Sequence, residues 1–148
     1  MSAVWNELVG EQLRTKGGNK ATADVLAGKK VIGLYFSAHW CPPCRGFTPV
    51  LSETYEEVVE AHPEFELIFV SADQGVEAFE EYFGEMPFTA VPFENRAQEE
   101  ALSRKFDVTG IPTLIFLNDK GEVITADGRS VVAKANGDVE SIWAELSK

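Results

Sequence analysis

Two cysteines, the only two in a chain of 148 residues, stand in Trp40-Cys41-Pro42-Pro43-Cys44-Arg45. The apolar run Val31-Ile32-Gly33-Leu34-Tyr35-Phe36 leads into them, and a long periodic stretch from Phe47 to Val59 follows. A strand, a tight entry and a helix that opens between two thiols form the physical recipe for a redox dithiol. On a helix's first turn both sulfurs lie on one face and can close a small disulfide ring. Cys41 would sit at the helix N-terminus, where the positive end of the dipole stabilises a thiolate. The thiolate is the species that attacks disulfides. Cys41 is therefore read as the attacking and more exposed sulfur, and Cys44, one turn in, as the resolving one. Pro42 and Pro43 carry no backbone N–H, so the Cys44 N–H is the nearest main-chain donor for a Cys41 thiolate. They also stiffen the ring.

Rival chemistries have less support. A zinc site needs about four ligands, and beyond the cysteines only His39 and His62 remain, His62 near the far end of the helix. Trp40 either shields the disulfide and offers an apolar contact surface or simply packs. Arg45 either holds a substrate carboxylate or is a solvated residue of the first turn. His39 modulates the thiolate or is an ordinary loop histidine. The glutamate pairs at 56–57, 80–81 and 99–100 read as solvated helix faces rather than paired catalytic carboxylates.

The elements that must hold the dithiol follow from hydrophobic periodicity. Val4, Trp5, Leu8, Val9 and Leu13 recur at helical spacing, predicting an amphipathic helix over about 3–15, broken by Gly17-Gly18-Asn19. Ala21 to Leu26 reads as a short edge strand. Val31 to Ser37 and Phe65 to Val70 read as strands buried on both faces. Phe47, Leu51, Tyr55, Val58 and Val59 mark the buried stripe of the helix after the cysteines, kinked at Pro49 and ended by His62-Pro63. Val76, Phe79 and Phe83 give another helix its apolar face. Met86 to Phe93 is an extended connection with a short strand. Asn95 and Gln98 suggest a capping box for a helix burying Ala101, Leu102 and Phe106. Thr113 to Leu117 and Glu122 to Ala126 form a hairpin around Asn118-Asp119-Lys120-Gly121, and Val139, Ile142, Trp143 and Leu146 line a closing helix. This order implies an α/β fold, a mixed sheet sandwiched between helices, with the dithiol at the end of a central strand where open α/β sheets put their ligands.

Composition bounds the rest. The length suits one domain over 1–148, and 13 basic against 24 acidic residues give a net charge of −11. Such a balance argues against nucleic acid or an anionic membrane as a partner. A secreted disulfide scaffold would carry more cysteines. No signal-peptide pattern and no apolar run of about 18 residues is present, which points to the cytoplasm or another reducing compartment, the nucleus included. No Gly-rich dinucleotide fingerprint occurs, so no bound cofactor is expected. A monomer is the default.

These residues resemble the thioredoxin superfamily: Trp-Cys-x-x-Cys at 40–44, Pro49 five positions after the second cysteine, and Ile111-Pro112-Thr113 before the last hairpin. More narrowly the chain is similar to the tryparedoxin/nucleoredoxin branch, through Tyr35-Phe36-Ser37-Ala38, the Pro-Pro spacer, Phe47-Thr48-Pro49, Met86-Pro87, Val91-Pro92-Phe93 and Gly110-Ile111-Pro112-Thr113-Leu114. The match spans Gly28 to about Arg129. The resemblance implies a thioredoxin fold, with a mixed central β-sheet flanked by α-helices on both faces. It implies a cis Pro112 facing the dithiol, which leaves the Ile111 backbone free to pair with a bound substrate strand, and it puts Arg129 near an arginine that contacts substrate in tryparedoxins. Three positions refine it. Tyr35 stands where thioredoxins proper carry a buried Asp, as in the tryparedoxin branch. Ala72-Asp73-Gln74 stands where kinetoplastid tryparedoxins have the Trp-Asp-Glu associated with trypanothione. Phe88 replaces a usual Trp. The last two lean towards nucleoredoxin-like proteins.

By that resemblance the expected activity is protein-disulfide reduction through a Cys41-Cys44 cycle, with peroxiredoxin-type or other oxidised proteins as targets. A low-molecular-weight dithiol or a flavoprotein reductase would be the donor. The alternative is a redox-sensing binding module of nucleoredoxin type, holding partners in one thiol state and releasing them in the other.

Overall fold

The structure, a computed structural model, describes residues 2–147. Helix α1 (Ser2–Val9) is followed by a hairpin of β1 (Gln12–Thr15) and β2 (Gly18–Ala21), and by one helical turn, α2 (Thr22–Val25). The central part runs β3 (Val31–Ser37), α3 (Pro42–Ala61), β4 (Phe65–Ser71), α4 (Val76–Phe83), β5 (Thr89–Ala90) and α5 (Arg96–Lys105). The chain then forms β6 (Thr113–Asn118), β7 (Val123–Thr125), α6 (Gly128–Ala135) and α7 (Val139–Leu146). All seven strands belong to one mixed sheet in the order β2-β1-β5-β4-β3-β6-β7. β3 runs parallel to β4 and antiparallel to β6. This is the thioredoxin fold that the family resemblance implied, with helices on both faces.

Alternation along the buried central strands sorts side chains into two cores. Val31, Tyr35, Leu67, Phe69, Leu114 and Phe116 pack beneath α3, α4, α6 and α7. Ile32, Leu34, Phe36, Ile68, Val70, Ile115 and Leu117 pack with Trp5, Leu8, Val9 and Leu102 on the other face. Helix α3 runs through Pro49 over 20 residues. An interior proline costs about 3 kcal/mol, whereas burying Leu51, Tyr55 and Val58 contributes about 1.5–3 kcal/mol for each such side chain. The stripe outweighs the break.

The N-terminal third departs from the periodicity. Leu13 sits four positions after Val9 and mimics a helical stripe, but Gly10 takes φ 93° and ends α1, so Leu13 is buried on β1 instead. Gly17-Gly18 turns a hairpin rather than breaking a helix, pairing Thr15 with Gly18. Ala21 to Leu26 is no edge strand: β2 ends at Ala21, and the Thr22 hydroxyl donates to the Gly10 carbonyl at 2.7 Å as α2 begins. The capping box is absent. Asn95 makes no side-chain cap, and Gln98 Nε2 instead donates to the Glu7 and Leu8 carbonyls at 2.8 and 2.6 Å, closing the end of α1. Helix α6 was not anticipated, since it buries only Gly128 and Val132. Gly128 is required there: a Cβ would lie 2.7 Å from Leu114 Cγ.

Glu66 is a carboxylic acid only 6% exposed at the start of β4. Burial raises its pKa, opposed by the Leu67 N–H, Tyr55 and Lys29. A raised folded-state pKa means that the charged form disfavours folding. The Glu66 contribution to stability should therefore be greatest at acid pH and be lost as pH rises through its folded-state value. Glu66→Gln should raise the urea midpoint at neutral pH, and the gap should close towards about pH 4, where unfolded glutamate protonates. A constant gap across the titration would rule this account out.

Candidate active site

The dithiol forms where three elements end together. β3 finishes at Ser37, its parallel neighbour β4 at Ser71, and the β3–β6 ladder stops at Phe36 opposite Thr113. Ile111 and Pro112 lie just beyond that ladder, joined by a cis peptide bond. Cys41 is the N-cap of α3, extended at φ −96° and ψ 107°, with prolines at the first two helical positions. Proline fits there because those N–H groups have no helical partner. Cys41 and Cys44 are joined as a disulfide with Cα atoms 5.2 Å apart. The Cys44 N–H donates to Cys41 Sγ at 3.3 Å, the contact that the Pro-Pro spacer implied.

Both sulfur-bearing residues are buried, Cys41 at 4% exposure and Cys44 at 0%. Ala38, Ala72 and Ile111 surround them. Cys41 Sγ lies 3.8 Å from the Ile111 carbonyl oxygen, so the cis-proline turn does face the dithiol. Trp40, by contrast, is 59% exposed. Its indole N–H donates to the Ala72 carbonyl at 3.3 Å, which stands the ring beside a groove of about 440 Å³ lined by His39, Asp73, Gln74, Gly75 and Ala78. Arg45 is exposed on the first turn of α3.

Arg129, from the unanticipated helix α6, reaches the site. Its Nη1 donates to the Pro112 carbonyl at 3.2 Å, and its guanidinium lies 5.7 Å from the centre of the Phe47 ring. His39 meets the Tyr82 ring edge-on at 5.6 Å. His62 is remote, stacked on Trp143 at 4.4 Å and bonded to Glu140 at 3.1 Å. Among the described residues no group of three or more His, Cys, Asp or Glu side chains could hold a metal, and no helix is long and apolar enough to cross a membrane. Phe88 packs into the core, edge-on to Tyr35 at 6.4 Å and to Tyr55 at 5.5 Å.

Two polar groupings behind the dithiol escape a reading of the chain. One joins Tyr35, Thr48, Tyr82 and Ser37 by short hydroxyl contacts. The other centres on Asp73, whose carboxylate accepts the His39 N–H at 2.8 Å and the Ser71 hydroxyl at 2.8 Å. It ties the entry to the cysteines to the end of β4. Arg96 braces the same corner, donating to the Ser71 and Asp73 carbonyls at 3.0 and 3.4 Å above the Phe93 ring. Burial pulls its pKa down, with Glu99 and Asp73 opposing. The exit Ser71-Ala72-Asp73 is legible as a strand end, but its partners come from distant segments.

A thioredoxin-like family model matches residues 28–123. The chain belongs to the thioredoxin-like family. Mouse (Mus musculus) nucleoredoxin is 46% identical over 139 residues, covering 94% of this chain and 32% of that protein. The chain thus spans about a third of the nucleoredoxin's length. Tryparedoxin of Trypanosoma brucei brucei is 42% identical over 133 residues, covering 89% of this chain and 91% of that one. The crystal structure of native tryparedoxin I from Crithidia fasciculata superposes with a TM-score of 0.79 at 42% identity, covering 86% of this chain and 87% of that one. Within the family the chain falls in the tryparedoxin/nucleoredoxin branch, with its Trp-Cys-Pro-Pro-Cys pair intact.

Asp73→Ala should cost about 1–3 kcal/mol of stability, because it leaves the half-buried His39 N–H and the buried Ser71 hydroxyl without their acceptor. Urea denaturation measures it. An unchanged midpoint would mean that the carboxylate does not hold the loop.

Proposed function

We propose that this chain is a thiol–disulfide oxidoreductase that reduces protein disulfides by cycling between a Cys41/Cys44 dithiol and the Cys41–Cys44 disulfide. The observation that carries this reading is the setting of Cys41 Sγ. It caps α3, receives the Cys44 N–H at 3.3 Å and faces the Ile111 carbonyl beside a cis proline. A helix N-terminus and a main-chain donor both favour the thiolate.

In the reduced protein the Cys41 thiolate attacks one sulfur of a target disulfide. A Cys41–target bond forms, and the other target sulfur leaves as a thiolate. Cys44, as its thiolate, then attacks Cys41, and the second target sulfur leaves. The target gains two electrons and the chain is left oxidised; a low-molecular-weight dithiol or a flavoprotein reductase returns it to the dithiol. Peroxiredoxin-type and other oxidised proteins are the proposed targets, met in the cytoplasm or nucleus. Trp40 and the Ile111-Pro112 backbone form the proposed contact surface, flanked by Arg45 and Arg129, while Pro42, Pro43 and Tyr35 hold the site. A second reading, a redox-gated binding module of nucleoredoxin type, is favoured by the exposed indole of Trp40, an apolar surface suited to a retained partner.

Cys44→Ser should convert a transient intermediate into a trap. In a lysate the variant should hold disulfide-linked partners, a peroxiredoxin among them, that dithiothreitol releases. Cys41→Ser should hold none, and only the wild type should reduce insulin. An empty trap together with wild-type inactivity on insulin would sink the reductase reading in favour of the binding module.

A further inference from the structure

Four hydroxyl groups lie buried beneath the resolving cysteine and form one connected network. The Thr48 hydroxyl donates to the Cys44 carbonyl at 2.9 Å. The Tyr35 hydroxyl also donates to the Cys44 carbonyl, at 3.4 Å, and lies 2.6 Å from Thr48 Oγ1; the Tyr82 hydroxyl lies 2.5 Å from Thr48 Oγ1. Tyr82 in turn meets the Ser37 hydroxyl at 2.6 Å. These contacts link Ser37, Tyr82, Thr48 and the Cys44 main chain, with Tyr35 joining at both Thr48 and the Cys44 carbonyl. A hydroxyl is a donor and an acceptor at once, and in a buried setting such a chain polarises cumulatively.

We propose that Thr48, fed by Tyr82 and Tyr35, is a positioning residue for the resolving step: its hydroxyl makes the first turn of α3 electropositive and favours the Cys44 thiolate that attacks Cys41. The inference rests on the dithiol reading above. In the step concerned, the Cys41–Cys44 bond forms while the bond from Cys41 to the partner sulfur breaks. The partner leaves as a thiolate, and the proton that Cys44 gives up on ionising passes to solvent. The hydroxyl chain does not take that proton, since burial pushes the Tyr35 phenol far above its ordinary range.

The charged and titratable groups around Cys44 are few. Tyr35, from β3, reaches the Cys44 carbonyl at 3.4 Å, and Tyr82, from α4, reaches Thr48. The loop before α3 brings Cys41 and His39, and the end of β4 brings Asp73, already bonded to His39 N–H and Ser71. Arg45 follows Cys44 on its own helix. Arg129 reaches the neighbouring Pro112 carbonyl from α6.

Stopped-flow reaction of the reduced full chain with the chromogenic disulfide dithiobis(nitrobenzoate) separates the steps. Attack by Cys41 releases one chromophore at a rate proportional to reagent. Resolution by Cys44 releases the second at a rate independent of it. Thr48→Val should slow the second phase about 3- to 10-fold at neutral pH, the change in thiolate fraction for half to one unit of acidity. It should also move that phase's pH profile upwards and leave the first phase unchanged. Thr48→Ser should restore both values, and Tyr82→Phe should shift both in the direction of Thr48→Val by less. Should Thr48→Val not fold, Tyr82→Phe carries the test alone. A normal biphasic wild type with an unaltered second phase in the variants overturns the role of the hydroxyl chain and leaves the dithiol reading intact. A wild type that never releases the second chromophore overturns both.

Discussion

The hydrogen bond from the Cys44 N–H to Cys41 Sγ can form only if α3 begins where it does, with Cys41 as its cap and two prolines filling the positions that need no donor. That start is set from both sides. Upstream, β3 is buried along its whole length, so the chain leaves the sheet at Ser37 with little freedom. Downstream, the stripe of Leu51, Tyr55 and Val58 presses α3 onto the sheet and fixes its rotation about its own axis. A slip of one residue at either end would turn Cys44 away from Cys41.

The surrounding braces act on the same corner from different directions. Asp73 holds the entry loop to β4, Arg96 holds the β4 exit in turn, and Arg129 ties α6 to the cis-proline loop. Each holds main chain next to residues that pack on the cysteines: Asp73 takes the His39 N–H, Arg96 the Ser71 and Asp73 carbonyls, and Arg129 the Pro112 carbonyl. In the proposed cycle the chemistry falls to two side chains and to backbone groups, while charged residues serve as struts behind them.

Much of this was legible in the chain because the decisive signals are local. Two cysteines separated by two prolines, a preceding apolar run of strand length and an Ile-Pro-Thr before a hairpin each declare themselves within a few residues. What was not legible is what depends on distance along the chain. Leu13 fits the stripe of α1 and lies on a strand, because Gly10 turns the backbone, an event that spacing does not encode. Helix α6 buries too little to show a period. The hydroxyl chain joins Ser37 to Tyr82 across 45 positions, and nothing local marks either residue as its neighbour's partner. Gln98 carries the pattern of a cap for its own helix and closes another.

The low exposure of both cysteines beside a projecting tryptophan has a geometric meaning for encounter. In the proposed exchange an incoming sulfur must reach a Cys41 that is only 4% exposed and has the Ile111 carbonyl 3.8 Å from its sulfur. On that reading a disulfide recessed in a concave surface would meet the site poorly, whereas one at the tip of an extended strand or tail would reach it. Partners would then be filtered by the shape in which they present sulfur, before any thermodynamic preference is expressed.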